Sequence, residues 1–230
     1  MRRKNKYPKK TLDFLLSLLF ILLTFPLQVV IFFILLFELR EFPIFIQKRG
    51  ISTRKLFYII KFKTIPSNVS FKHKNIFYKK EYGKFIGKFS SFLRRSGLDE
   101  LPQLFNVLTG SMSLIGPRPL MLDDLIIMKK YHPREYGKRV NLRLKPGLSG
   151  MWQLFGDRSK GVENLLELDT KYAREKSFLT DMKLLGYTIW TVLLRKHSDA
   201  IIDAYAKVEE LKAEKPLKEK LPLLNTLVSE

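Results

Sequence analysis

The longest uninterrupted apolar pattern lies at the start of the chain. From Phe14 to Phe37 the sequence "FLLSLLFILLTFPLQVVIFFILLF" carries no charged residue. About 24 residues in helical conformation, at ~1.5 Å each, suffice to cover a hydrocarbon core. A membrane segment is therefore predicted. It is too long for the h-region of a secretory signal, and no small-residue cleavage site follows it, so the chain is expected to keep it. Basic residues precede it (Arg2, Arg3, Lys4, Lys6, Lys9, Lys10) and follow it (Arg40, Lys48, Arg49, Arg54, Lys55), so the positive-inside rule gives no orientation for a single crossing and both ends read as cytoplasmic. Pro26 removes a backbone donor near the middle, with Thr24 and Gln28 close by to satisfy freed groups. A break at Thr24 and Pro26 would return the chain to the face it entered from. A kinked spanning helix is the commoner meaning of one such proline.

Beyond Arg40 the pattern becomes globular. "FPIFIQKRG", "KLFYIIKFKTI" and "NIFYKK" are short, rich in Ile, Phe and Tyr, and bounded by Gly, Pro or Asn, which predicts strands. Leu98, Leu101, Leu104, Phe105 and Leu108 then follow the spacing of a helix face, with Pro102 placed in the first turn and Asp99 and Glu100 at the start. Pro146-Gly147 suits the centre of a tight turn. The segment "LDTKYAREKSFLTDMKLLGYTIWTVLLRK" reads as one or two helices, the second half apolar almost all round and hence buried or at a membrane interface. The fold class expected is mixed, helix-rich α/β: a membrane helix within residues 1–40, a compact domain over 41–198 with interfacial amphipathic helices, and a charged, proline-broken extension over 199–230.

Composition narrows the partners. With 42 Lys and Arg against 22 Asp and Glu, the formal charge of +20 favours nucleic acid, anionic lipid or phosphorylated substrates. The membrane segment selects lipid among these, and no nucleic-acid-binding motif accompanies the charge. The chain has no cysteine, which excludes a disulfide framework and thiolate chemistry, and its three histidines are too far apart to suggest a local ligand pair.

Candidate chemistry centres on "SGLDELPQLFNVLTGSMSLIGPRP". Asp99 and Glu100 have a bland reading, since acids at a helix start cap amides and complement the dipole. The same place suits phosphate chemistry: one carboxylate can attack phosphorus while its neighbour helps hold a divalent cation. Pro117 and Pro119 restrict the backbone around Arg118, whose planar fork can bind phosphate oxygens in pairs. Arg94 and Arg95 are either phosphate ligands or ion-pair partners. Gly147, Gly150 and Gly156 would permit close backbone approach to a ligand. Trp152 is available to stack on a base, although a buried core aromatic is the commoner role.

Together, "RRSGLDELPQLFNVLTGSMSLIGPRPL", "LKPGLSGMWQLFGDRS" and "LDTKYAREKSFLTDMKLL" resemble the bacterial sugar transferases, monotopic phosphoglycosyl transferases that load a sugar phosphate onto polyprenol phosphate. The likeness covers roughly residues 12 to 196, in order. It implies a re-entrant membrane helix, which makes the Pro26 hairpin the preferred reading, and a location on the cytoplasmic face of a bacterial inner membrane. It implies Asp99 as nucleophile, Glu100 as its Mg2+-associated partner, and Arg94 with Pro117-Arg118-Pro119 as phosphate ligands. Gly147, Gly150 and Trp152 would lie near a nucleotide site that takes a UDP-sugar, and Asp169, Tyr172 and Asp181 match a later polar pattern. Gln47-Lys48-Arg49-Gly50 advances the family's glycine by one position, and Lys63 replaces an expected arginine, so no catalytic role is assigned there. No bundle of membrane helices precedes Phe14, as in the minimal members. A homo-oligomer stays open, and a membrane-tethered binding or scaffold protein is the alternative.

Overall fold

The computed structural model describes residues 7–67, 86–157 and 160–194. The strand expected at "NIFYKK" and the extension over 199–230 lie outside the described residues. The apolar segment forms one helix, α1 (Lys9–Leu39), which ends where Arg40 turns left-handed and its N–H caps the Leu36 carbonyl. Helical structure runs through Pro26 without interruption. Thr24 Oγ donates to the Phe20 carbonyl at 2.6 Å and accepts from Gln28 Nε2 at 3.0 Å. In an apolar setting every remaining helical bond is hard to replace, so one missing donor is tolerated.

The face that α1 turns inward is its more polar one. Asp13, Ser17, Ile21, Gln28, Ile31 and Leu35 are buried along one stripe, while Leu15, Leu22, Leu23, Phe25 and Phe37 on the other faces are more than half exposed. Lipid is the solvent that suits such a surface.

An antiparallel hairpin follows: β1 (Ile44–Ser52) pairs with β2 (Lys55–Phe62) from Ile44↔Phe62 onward, with an irregularity between Gly50 and Ser52. The two short aromatic runs form the strands their composition predicts. Next come α2 (Lys88–Ser96), a 3₁₀ turn over Leu98–Glu100, and α3 (Gln103–Leu108). β3 (Ser113–Ile115) leads into the proline-bounded loop, and β4 (Leu120–Met121) returns to pair with β1, giving the sheet order β2-β1-β4. Helices α4 (Leu122–Tyr131) and α5 (Pro133–Asn141) precede β5 (Gly147–Ser149), which pairs in parallel with β3. Then α6 (Met151–Phe155), α7 (Gly161–Glu175) and α8 (Phe178–Leu193) complete the described chain. The predicted late helical segment is thus two helices, divided before Ser177, whose hydroxyl caps the Thr180 amide at 3.2 Å.

Three expectations are corrected. No break occurs at Thr24 and Pro26: Thr24 and Gln28 bond along the helix around the missing donor, and α1 stays continuous. The acids do not begin an α-helix but sit in the 3₁₀ turn: Pro102 has no N–H to close an α-turn onto Leu98, so the bonds tighten to Glu100 N–H to Gly97 and Leu101 N–H to Leu98, at 3.1 and 3.3 Å. Gly147 opens a strand rather than centring a turn, because its parallel pairing brings it against Gly116, where an added Cβ would lie 2.1 Å from the Gly116 nitrogen.

The membrane helix shares the core. Ile21 packs with Ile59, Leu104, Val107, Met112 and Leu184, and Ile31 and Leu35 pack with Phe62 and Leu93. A further cluster joins Leu120, Leu125, Met128, Trp152, Val162 and Leu165.

Candidate active site

The acid turn is held from both sides. Gly97, at φ 75°, reverses the chain after α2, and α3 is fixed to the edge of the hairpin by Asn106, which accepts from Ile60 N–H at 3.0 Å and donates to the Tyr58 carbonyl at 2.7 Å. That one side chain pairs with strand β2 as a neighbouring backbone would. The turn is consequently buried, with Asp99 1% and Glu100 8% exposed.

Arg118 meets this turn. Its Nη2 lies 3.6 Å from Glu100 Oε1, and the residue is itself buried. Its loop is built on glycine contacts: Gly116 N–H donates to Ser149 at 2.8 Å, Gly147 N–H to Pro117 at 2.9 Å, and a Cβ at Gly150 would meet the Gly116 carbonyl at 2.1 Å. The ligand-approach glycines of the sequence reading, Gly147 and Gly150, thus lie under the Pro117-Arg118-Pro119 loop and fix it.

Two arginines that were not assigned a role in the site also hold this loop. Arg139, 1% exposed, donates from Nε to Asp169 Oδ2 at 2.7 Å and from Nη2 to the Arg118 carbonyl at 2.6 Å. Burial pushes the Asp169 carboxyl up, and Arg139 opposes that. Asp169 therefore reaches the site through Arg139 and the loop backbone. Arg49 donates from Nη1 to the Pro119 carbonyl at 3.3 Å and from Nε to Gln47 at 2.9 Å. Beside it, Asp124 is buried, its Oδ1 finds no hydrogen-bond partner, and desolvation raises its pKa to about 6 against the pull of Arg49.

Of the other predicted residues, Arg94 lies directly before the acid turn, whereas Trp152, Tyr172 and Asp181 fall elsewhere. Arg94, in the last turn of α2, donates to Thr64 Oγ at 3.3 Å. Trp152 is 1% exposed within the Leu120–Leu165 cluster, so its ring serves the core. Tyr172 and Asp181 form a latch at the N-terminal end of α1. Asp181 receives Tyr7 Oη and Lys9 Nζ and lies 2.9 Å from Tyr172 Oη, which is also 3.0 Å from the Ile115 carbonyl; its single proton serves one acceptor at a time. Burial first, and then Asp181, push both phenols above their ordinary range. Asp13 extends the latch, accepting from Ser113 Oγ at 2.6 Å and Leu114 N–H at 3.2 Å.

Among the described residues no cluster of three metal-ligating side chains occurs. Two adjacent carboxylates still fit Mg2+, which commonly takes one or two carboxylates and completes its shell with water and substrate phosphate.

The fold and the site define an α/β domain built on a long apolar helix, in which a buried acid turn faces an arginine loop suited to anions. The chain belongs to the bacterial sugar transferase family, whose model matches residues 4–195. A relative in Haemophilus influenzae described as an uncharacterized sugar transferase is 38% identical over 112 residues, covering 48% of this chain and 22% of that protein. The undecaprenyl-phosphate galactose phosphotransferase of Salmonella typhimurium is 28% identical over 209 residues, 84% of this chain and 42% of that protein. The UDP-glucose:undecaprenyl-phosphate glucose-1-phosphate transferase of Escherichia coli is 36% identical over 116 residues, 48% and 24% respectively. The chain thus spans less than half the length of each of these three relatives.

Proposed function

We propose that this chain transfers a sugar 1-phosphate from a UDP-sugar to polyprenol phosphate, as the first membrane step of glycan assembly at the cytoplasmic face of a bacterial inner membrane. The observation that carries this reading is the buried Asp99-Glu100 turn facing Arg118 in a domain bonded along a lipid-exposed helix. The names of the Salmonella and Escherichia relatives supply the substrate classes.

Asp99 attacks the sugar-bearing phosphorus, and the bond to the bridging oxygen breaks so that UMP leaves with the electron pair. This gives a glycosyl-phosphoryl aspartate. A phosphate oxygen of polyprenol phosphate then attacks the same phosphorus, freeing the Asp99 carboxylate and forming polyprenyl diphosphate sugar. Arg118 binds the diphosphate oxygens, and Arg139 and Arg49 fix the loop that presents it. Asp99 and Glu100 are the residues that would hold Mg2+, which when bound supplies neutralisation of the diphosphate charge.

The topology proposed keeps both ends of α1 on one membrane face, although the helix is not broken at Pro26. Lys9 and Asp13 at one end of α1 bond to Asp181, Ser113 and Leu114, while Glu38 at the other end accepts from Ser90 at 2.5 Å and packs on Gly87. A helix crossing a bilayer parts its ends by ~30 Å of hydrocarbon. One globular body bonded to both ends favours an entry and exit on a single face. The test of function is UMP release from UDP-sugars by detergent-purified protein, with and without polyprenol phosphate. A stoichiometric burst without the lipid and steady turnover with it are expected; release in neither condition contradicts the reading.

A further inference from the structure

A cavity of about 220 Å³ lies between α1 and α8 and reaches the acid turn at Gly97 and Glu100. Phe20, Leu104, Leu148, Leu185 and Val192 form much of its wall. The hydroxyls on that wall are already engaged: Thr24 donates to Phe20, Thr188 to Leu184 at 2.8 Å, and Ser149 and Thr188 pair at 2.7 Å. Among the described residues, Glu100 is the one ionisable side chain lining it. The space is therefore apolar along its length and charged at one end. Ile189 and Leu193 both line the cavity and are exposed, so it opens onto the apolar outer surface of α8.

We propose that this cavity seats the first isoprene units of the polyprenol phosphate acceptor and sets the choice of lipid, an inference that rests on the transferase reading above. The match is that of an amphiphile: a branched hydrocarbon tail between α1 and α8, and an anionic head taken not by the acid Glu100 but by Arg118, which lies 3.6 Å from Glu100 just beyond the cavity wall. A sugar or a uracil would leave its polar groups unpaired against these walls. The acceptor phosphate thus approaches Asp99 from the membrane side. The cavity bears on the second half-reaction and leaves the first untouched.

Leu185→Trp and, at a less enclosed position, Val192→Trp fill the space. Both variants should give a wild-type burst of UMP without lipid, while KM for polyprenol phosphate rises about tenfold, the loss expected when burial of about two methylenes is forfeited. An unchanged KM beside a normal burst in both variants overturns the proposal. Photocrosslinking with a diazirine-bearing isoprenyl phosphate reads occupancy without catalysis. Adducts on peptides containing Leu148, Leu185 or Val192, competed by polyprenol phosphate and not by phosphatidylglycerol, support the assignment. Equal competition by phosphatidylglycerol, or adducts confined to the outer face of α1, overturns it. If wild-type protein releases no UMP yet crosslinks within the cavity, the transferase reading fails and the lipid site stands.

Discussion

Arg118, in the proline-bounded loop, and Asp124, in the first turn of α4, show how differently two buried charges act. Arg118 is oriented by two prolines and by the Arg139 bond to its carbonyl, so its fork is presented before substrate arrives. Arg118→Lys keeps the charge and loses the paired geometry, and kcat/KM for UDP-sugar should fall roughly 10–100-fold with unchanged thermal stability. Wild-type kinetics in a folded Lys variant would remove Arg118 from phosphate binding. Asp124 instead burdens the fold. Its pKa is raised from 3.8 to about 6, so between these values the folded state holds a proton that the unfolded state has lost. Stability contributed by this group is present below about pH 4 and disappears as pH rises through about 6. Asp124→Asn should flatten that slope in denaturant titrations and gain on the order of 2 kcal/mol at pH 7. A slope retained in full in the Asn variant would place its origin elsewhere. The sequence exposed the acids and Arg118 because turn formers surround them, whereas Arg139 lies in "REYGKRVN", indistinguishable from a solvated basic helix until Asp169 is seen opposite it.

At the scale of elements, α1 and the strands β1 and β2 were legible because apolar length and a bounded run of β-branched and aromatic residues are local signals, whereas their pairing as a hairpin came from the structure. The three-residue pair of β3 and β5 was not, since its register depends on the approach of Gly116 to Gly147 across the chain. The same holds for the inner face of α1. Asp13 and Gln28 look like flaws in a lipid-facing helix, but they are the groups turned toward protein. With the helix latched at Asp181 and at Ser90, its two ends belong to one body. Cysteines placed singly at Lys10 and at Arg54 in this cysteine-free chain should therefore react alike with an impermeant thiol reagent, both protected in intact cells and both labelled after permeabilisation. Labelling of Lys10→Cys alone from outside would establish a spanning helix.

For the whole molecule, a charge of +20 and a long exposed apolar helix suit an anionic bilayer, and the acid turn lies where an apolar cavity approaches the arginine loop. The proposed order of events is then spatial: a soluble nucleotide sugar enters beside Arg118, and the lipid acceptor enters between α1 and α8. Ping-pong kinetics follow from the proposal that Asp99 carries the sugar phosphate between the two. The most direct measurement is intact-protein and peptide mass spectrometry after incubation with UDP-sugar in the absence of polyprenol phosphate, under mildly acidic conditions that preserve acyl phosphates. The account predicts a sugar-phosphate mass on the peptide containing Asp99, discharged by added polyprenol phosphate and absent in Asp99→Asn. An adduct on Glu100, or full turnover by Asp99→Asn with no adduct, would contradict it.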